Sequence, residues 1–258
     1  MKRKSYTHGF FKGLAAFFVI FSCSHGKVEG AEDQRDGGFQ ECVVLLHGMA
    51  RTSHSMDDME EALNSAGYQT VNLDYPSTAK EIAELVEVDL QKAIAACQAK
   101  KASRIHFVTH SLGGIIVRKG LKDKRPERLG RVVMLSPPNQ GSDVAEKLKG
   151  VWFYEWLNGP AGQSLGTGSD SLPNRLGPVD YPVGIITGNQ HAFFDSWFAS
   201  FIPGENDGKV SVEQAKVSGM TDFLVVPEAH PFIMGSEQVI EETIHFLVHG
   251  RFSHRSAP

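Results

Sequence analysis

The sequence predicts an α/β fold: one main domain built on a doubly wound, mostly parallel sheet. Three observations predict it. Short unbroken apolar runs recur along the chain, as strands buried on both faces require. Segments with helical apolar spacing separate them. Gly, Pro, Asp and Asn punctuate the junctions. With 258 residues and 41% hydrophobic content, the chain can bury one sizeable core.

The elements follow in order. The first run, Cys42 to Leu46 (CVVLL), ends at the turn His47-Gly48-Met49. Residues 56–66 carry helical spacing at Met56, Met59, Leu63 and Ala66, closed by Gly67 as a C-cap. Tyr68 to Leu73 reads as the second strand, followed by Asp74-Tyr75-Pro76. The strongest helix pattern covers 78–98, where Ile82, Val86, Leu90, Ala93, Ile94 and Cys97 form one stripe. Ile105 to Thr109 is another buried strand, running into His110-Ser111-Leu112-Gly113-Gly114 and a helix to about Leu121. Arg131 to Leu135 ends in Ser136-Pro137-Pro138; residues 183–187 and 222–226 complete the strands, and Glu237 to His249 is a closing helix. The domain thus spans 41–249, with a tail at 250–258.

Residues 142–180 depart from this rhythm. Two of the three tryptophans fall in Val151–Leu157, ahead of a Gly/Ser/Pro-rich stretch from Gly159 to Pro178. Two readings stay open: a small cap-like insertion beside the site, or an ordinary surface helix and loop with inward-packed aromatics.

The N-terminus is a separate object. Lys2, Arg3, Lys4 and Lys12 precede the apolar run Gly13–Phe21 and the small polar stretch Ser22–Gly26. That order is the pattern of a secretory signal, taken here as residues 1–24. The apolar run is about half the ~20 residues that span a bilayer. Ile20-Phe21-Ser22-Cys23 also resembles a bacterial lipobox, which would make Cys23 a lipidated first residue; Phe21 is bulky for such a site. The expected location is periplasmic or extracellular, soluble or lipid-anchored. Residues 25–40 read as a flexible lead-in.

Charge and cysteines bound the partners. The formal net charge is −4, with no basic stripe, so a nucleic-acid partner has no electrostatic footprint. No His/Asp/Glu cluster has metal-ligand spacing, so neither metal nor other cofactor is expected; a calcium site assembled from distant residues would escape this test. Cys42 starts the first core strand, and Cys97 ends the helix returning the chain to that same end of the sheet. A disulfide, favoured by an oxidising compartment, and two inert buried thiols are both open readings.

The chemistry centres on Ser111. A serine hydroxyl is a poor nucleophile without a base in hydrogen-bond reach and a group orienting that base. It also needs two preorganised N–H donors for the developing oxyanion. A sharp strand-to-helix turn presents such a serine above the sheet, with small residues two positions either side. Thr109-His110-Ser111-Leu112-Gly113 supplies that context, with Thr109 standing where the common pattern has its first glycine. The bland reading of Ser111 is a helix N-cap. The turn after the first core strand offers the Met49 N–H as one oxyanion donor, and Leu112 N–H, just after the nucleophile, is the other. His47 is read as bracing that turn by hydrogen bonding. His230, just past the last strand, is the candidate base, with His191 as rival. Asp207, in the turn-forming Gly204–Val210 stretch, is the candidate acid, with Asp180, Asp195 and Glu205 as rivals.

Taken together, His47-Gly48-Met49 with Arg51-Thr52, Thr109–Gly114, Ser136–Ser142, Asn206–Val210 and Ala229-His230 resemble the lipase-like branch of the α/β-hydrolase superfamily. That branch includes bacterial triacylglycerol lipases and esterases, GPI inositol-deacylases and palmitoyl-protein thioesterases. The resemblance spans roughly residues 41–249. It implies hydrolysis of carboxylic esters through an acyl-enzyme, with Ser111, Asp207 and His230 as triad. The implied partner is a small-molecule or lipid ester, met in solution or at a lipid interface; no protein partner is evident. The alternatives are an acyl thioesterase or acyltransferase on the same triad, and a non-catalytic binding protein of the same fold.

Overall fold

The computed structural model describes residues 40–147, 159–193, 196–200 and 202–254, without the side chains of residues 197 and 198. The expected signal segment 1–24 with its lipobox-like stretch, residues 25–39 of the expected lead-in, the tryptophan stretch Val151–Leu157, Asp195 and residues 255–258 lie outside the described residues.

Among the described residues, six strands form one sheet: β1 (Cys42–Leu46), β2 (Gln69–Leu73), β3 (Ile105–His110), β4 (Leu129–Leu135), β5 (Val183–Gly188) and β6 (Asp222–Val226). Their order is β2-β1-β3-β4-β5-β6, and every neighbouring pair is parallel. The order turns back at β1, so β1 and β3 lie side by side although β2 falls between them in sequence. That places the ends of β1 and β3, with His47 and Ser111, next to one another above the sheet. Continuous apolar strands predict burial on both faces, and two core clusters fill it. Val44, Leu46, Phe107, Val132, Met134 and Ile185 face one side; Val43, Leu45, Val108, Val133, Leu135 and Ile186 face the other. This alternation is the two-residue period of a strand read out on two apolar faces.

Helices among the described residues include α1 (Asp57–Ser65), α2 (Ile82–Glu84), α3 (Gln91–Ala99), α4 (Leu112–Asp123), α5 (Asp143–Lys147), α6 (Leu172–Leu176), α7 (Ser196–Ala199), α8 (Val212–Ala215) and α9 (Glu237–His249). Two expectations need correction. The helix expected over 56–66 starts as a 3₁₀ turn, Ser53–Met56, before α1 takes over. The helix expected over 78–98 begins at Ile82 and contains a π-helical turn, Leu85–Leu90, between α2 and α3. The π-turn packs against α4 at Gly120. A Cβ there would meet Leu90 Cδ2 at 2.3 Å, so glycine makes the notch that receives the π-turn leucine.

Cys42 and Cys97 are joined in a disulfide, with Cα atoms 5.8 Å apart. The open choice between bridge and free thiols thus falls to the bridge. The tail also folds back: Phe252 is buried, its N–H donates to Asp222, and Ser253 donates to the buried Glu242. Among the described residues, no helix is long and apolar enough to cross a membrane, and no group of three metal-ligating side chains gathers.

Candidate active site

The site is built from three chain reversals at one end of the sheet. At the first, β3 passes into α4 through Ser111, whose backbone holds φ 52 and ψ −118. A left-handed non-glycine residue costs on the order of 1–3 kcal/mol, so the surroundings must hold it. They do so from both sides. Ser111 N–H donates to Leu135 O at 2.8 Å, and Gly114 N–H donates to Ser111 O at 3.0 Å. Gly113 lets α4 approach β1: a Cβ there would lie 2.8 Å from Leu46 O and 3.1 Å from His47 O. The sharp turn thus exposes the serine side chain while its flanks, Thr109 and His110, are fully buried. Thr109, the departure from the common glycine, fits beneath Gly114, and its hydroxyl has no partner among the described residues.

The second reversal follows β6. His230 lies there, and its ring meets Ser111 on one side and Asp207 on the other. The Nδ1–H donates to Asp207 Oδ2 at 2.8 Å, which leaves Nε2 to accept from the Ser111 hydroxyl at 3.1 Å. Backbone bonds couple the two loops as well, since His230 N–H donates to Asp207 O at 2.9 Å. Two of the rivals stand apart. Asp180 pairs with Arg125 at an exposed position, and exposed His191 takes no part in this arrangement.

The third is the Asp207 turn. Asp207 is fully buried, and its Oδ1 accepts from the N–H groups of Lys209 (3.0 Å) and Val210 (2.9 Å). Asn206 closes the turn beside it, accepting from Gly208 N–H at 3.0 Å. Gly188 leaves room: a Cβ there would lie 2.0 Å from Glu228 O and 3.1 Å from Asp207 Cβ. One carboxylate oxygen is therefore committed to backbone donors and the other to the imidazole.

The loop after β1 packs against this array. A Cβ at Gly48 would fall 2.6 Å from His110 Nδ1 and 3.3 Å from Ser111 Cβ, so only glycine brings that loop so close. Met49, one expected oxyanion donor, follows Gly48 directly in the chain, and Leu112, the other, opens α4. Among the described residues, neither N–H is engaged by a backbone carbonyl. Ala50 is left-handed at φ 54, with its N–H held by Ser77 Oγ at 3.1 Å. Arg51 donates to Pro231 O at 2.9 Å, tying this loop to the His230 loop.

Sequence reasoning passed over His110. Its Nε2–H donates to His230 O at 3.1 Å, and the two rings sit 4.8 Å apart. Burial, reinforced by nearby His230, holds its pKa well below the ordinary 6.5, so it stays neutral. The signal was present in its position, one residue before the elbow serine, but its partner is 120 residues away. Arg118 on α4 was equally silent. It is buried with no carboxylate partner among the described residues and donates to Asn139 O, Pro173 O and Gly177 O, pinning the elbow helix to the loop after β4 and to the start and end of α6.

Comparison with known proteins follows the same lines. The model of the Alpha/beta hydrolase family matches residues 43–231. No curated protein matches the sequence. Among solved structures, the Bacillus licheniformis lipase BlEst2 in propeptide form superposes with a TM-score of 0.67 at 20% identity, covering 85% of this chain and 52% of that one. The mature form gives 0.65 at 21% identity, covering 82% and 93%. The metagenomic carboxyl esterase MGS0156 gives 0.60 at 20%, covering 75% and 65%. This chain therefore spans about half the length of the propeptide form. Identities this low speak for the fold alone. The family model and the six-stranded sheet agree: the chain belongs to the Alpha/beta hydrolase family.

Proposed function

We propose that the protein is a serine hydrolase that cleaves carboxylic esters, of small molecules or lipids, through an acyl-enzyme on Ser111. The observation that carries this reading is the continuous relay from Ser111 Oγ through His230 to the buried Asp207, at 3.1 and 2.8 Å. Each member has one chemical task in it. Asp207 holds His230 in the tautomer with Nε2 free. That nitrogen takes the Ser111 proton as the oxygen attacks the ester carbonyl. The N–H groups of Met49 and Leu112 receive the charge developing on the carbonyl oxygen. His230 then returns the proton to the leaving alcohol, and water repeats the cycle on the acyl-enzyme. Neither metal nor cofactor enters these steps.

The solved structures with this fold carry the names of a lipase and a carboxyl esterase, which supports an ester over other acyl compounds. The reading includes export, supported by the basic, apolar and small-residue order of the first 26 residues and by the Cys42–Cys97 disulfide. A p-nitrophenyl ester series of increasing acyl length, run beside acyl thioesters of the same lengths, tests the substrate class. Turnover of the esters that depends on Ser111 is expected. Activity confined to the thioesters would overturn the assignment.

A further inference from the structure

The fold holds one histidine, beside the proposed nucleophile, whose hydrogen bonds fix the direction of a single peptide. His47 ends β1 and is fully buried. Its Nδ1 lies 2.8 Å from Gly48 O, and its Nε2 lies 3.4 Å from Tyr75 N. A carbonyl can only accept and an N–H can only donate, so the ring is the Nδ1–H tautomer: it donates to Gly48 and accepts from Tyr75. Tyr75 grips the same residue twice more. Its hydroxyl donates to His47 O, and its ring stacks on the imidazole with centroids 4.0 Å apart and planes 13° from parallel.

The consequence lies one bond further on. The Gly48–Met49 peptide is planar and trans, so its C=O and N–H point in opposite directions. Tying the Gly48 carbonyl back to the His47 ring turns the Met49 N–H away from that ring. Gly48 itself packs against Ser111. Rotation of this one peptide would put a carbonyl where the reaction needs a donor.

We propose that His47 is a positioning residue: clamped by Tyr75, it locks the Gly48–Met49 peptide with the Met49 N–H toward the oxyanion formed at Ser111. This rests on the serine-hydrolase reading above. A donor of this kind acts on the transition state and not on the bound ester, so its loss lowers kcat and leaves KM nearly in place. Removing one oxyanion donor costs about 10²–10³ in kcat, the upper limit for an unlocked peptide.

The test uses isosteres on the full-length chain. His47→Phe keeps a ring against Tyr75 and removes the donor to Gly48. His47→Asn places an amide N–H near the Nδ1 position, and His47→Gln places one near the Nε2 position. With p-nitrophenyl butyrate, kcat should fall at least about 30-fold in the Phe and Gln variants, with KM within about twofold. The Asn variant should retain at least a third of wild-type kcat. Inhibition by a trifluoromethyl ketone, which forms an oxyanion on the serine, should weaken in the Phe and Gln variants in proportion to kcat. Should Phe fail to fold, the Asn and Gln pair carries the comparison. A Phe variant with wild-type kcat, or Asn and Gln variants equally impaired, overturns the lock. A Ser111→Ala protein that keeps turnover overturns the hydrolase reading instead, so the two failures are distinguishable.

Discussion

Replacing Asp207 by Asn tests the orienting acid with almost no change of shape. Asp207 Oδ1 accepts from two backbone donors, the N–H groups of Lys209 and Val210. Only an oxygen satisfies that position, so the asparagine must turn its Nδ2 toward His230 Nδ1. Two donors cannot face one another there. The imidazole therefore moves its proton to Nε2 and accepts through Nδ1, keeping every hydrogen bond of the buried turn. The cost appears at the other end of the ring. Nε2 now carries a proton where the Ser111 hydroxyl, 3.1 Å away, needs an acceptor. The wrong tautomer lowers kcat by about 10⁴ in a Ser-His-Asp triad. That corresponds to about 5 kcal/mol of activation free energy. Steady-state kinetics on p-nitrophenyl butyrate, with a melting curve on the same sample, reads both sides of the argument. A folded Asn variant within tenfold of wild-type kcat would refute it.

Three further predictions follow from the same geometry. The Cys42–Cys97 bridge closes a sequence separation of 55, which the loop-entropy relation values at about 4 kcal/mol. The double alanine variant should melt about 8–16 °C lower; an unchanged midpoint would contradict the bridge. Gly113→Ala brings a Cβ to 2.8 Å from Leu46 O, so α4 must move off β1. Stability should fall by about 1–3 kcal/mol and ester turnover by much more; wild-type kinetics would show that the elbow tolerates the shift. Acidification should destabilise the fold. Burial is the first cause lowering the pKa of both His110 and His47 from the ordinary 6.5. Below that value the unfolded chain binds protons that the folded chain refuses, so stability present above pH 6.5 is lost as pH falls. The melting midpoint should drop steadily from pH 7 to 5; a flat or rising curve would refute this.

The strands were legible because a strand buried on both faces leaves nothing but apolar side chains, as CVVLL does at Cys42–Leu46. Their ends were less so: β4 starts at Leu129, two residues before the apolar run from Arg131. Ile105 pairs with Leu129 but Phe107 with Val132, so β4 carries one extra residue there, and Gly130 lies against the buried His106 ring, a partner that the run itself does not announce. The π-turn at Leu85–Leu90 was not legible, since the stripe through Val86 and Leu90 fits an unbroken helix equally well. The notch at Gly120 that its Leu90 packs into lies on another helix. Ser111, Asp207 and His230, which hydrogen bonds join in the structure, stand out in the sequence by their order and by the turns that carry them. The bracing residues do not. Tyr75, Ser77 and His110 act on partners 27 or more residues away, through bonds that only the closed sheet creates.

The nucleophile is the central claim, and covalent labelling tests it most directly. Wild-type protein incubated with a fluorophosphonate should gain the mass of one phosphonyl group, located by fragmentation to the peptide containing Ser111, with loss of all ester turnover. Ser111→Ala protein, folded to the same melting midpoint, should gain none and turn over no ester. A label on any other residue, or an alanine variant that still labels and hydrolyses, would contradict the account.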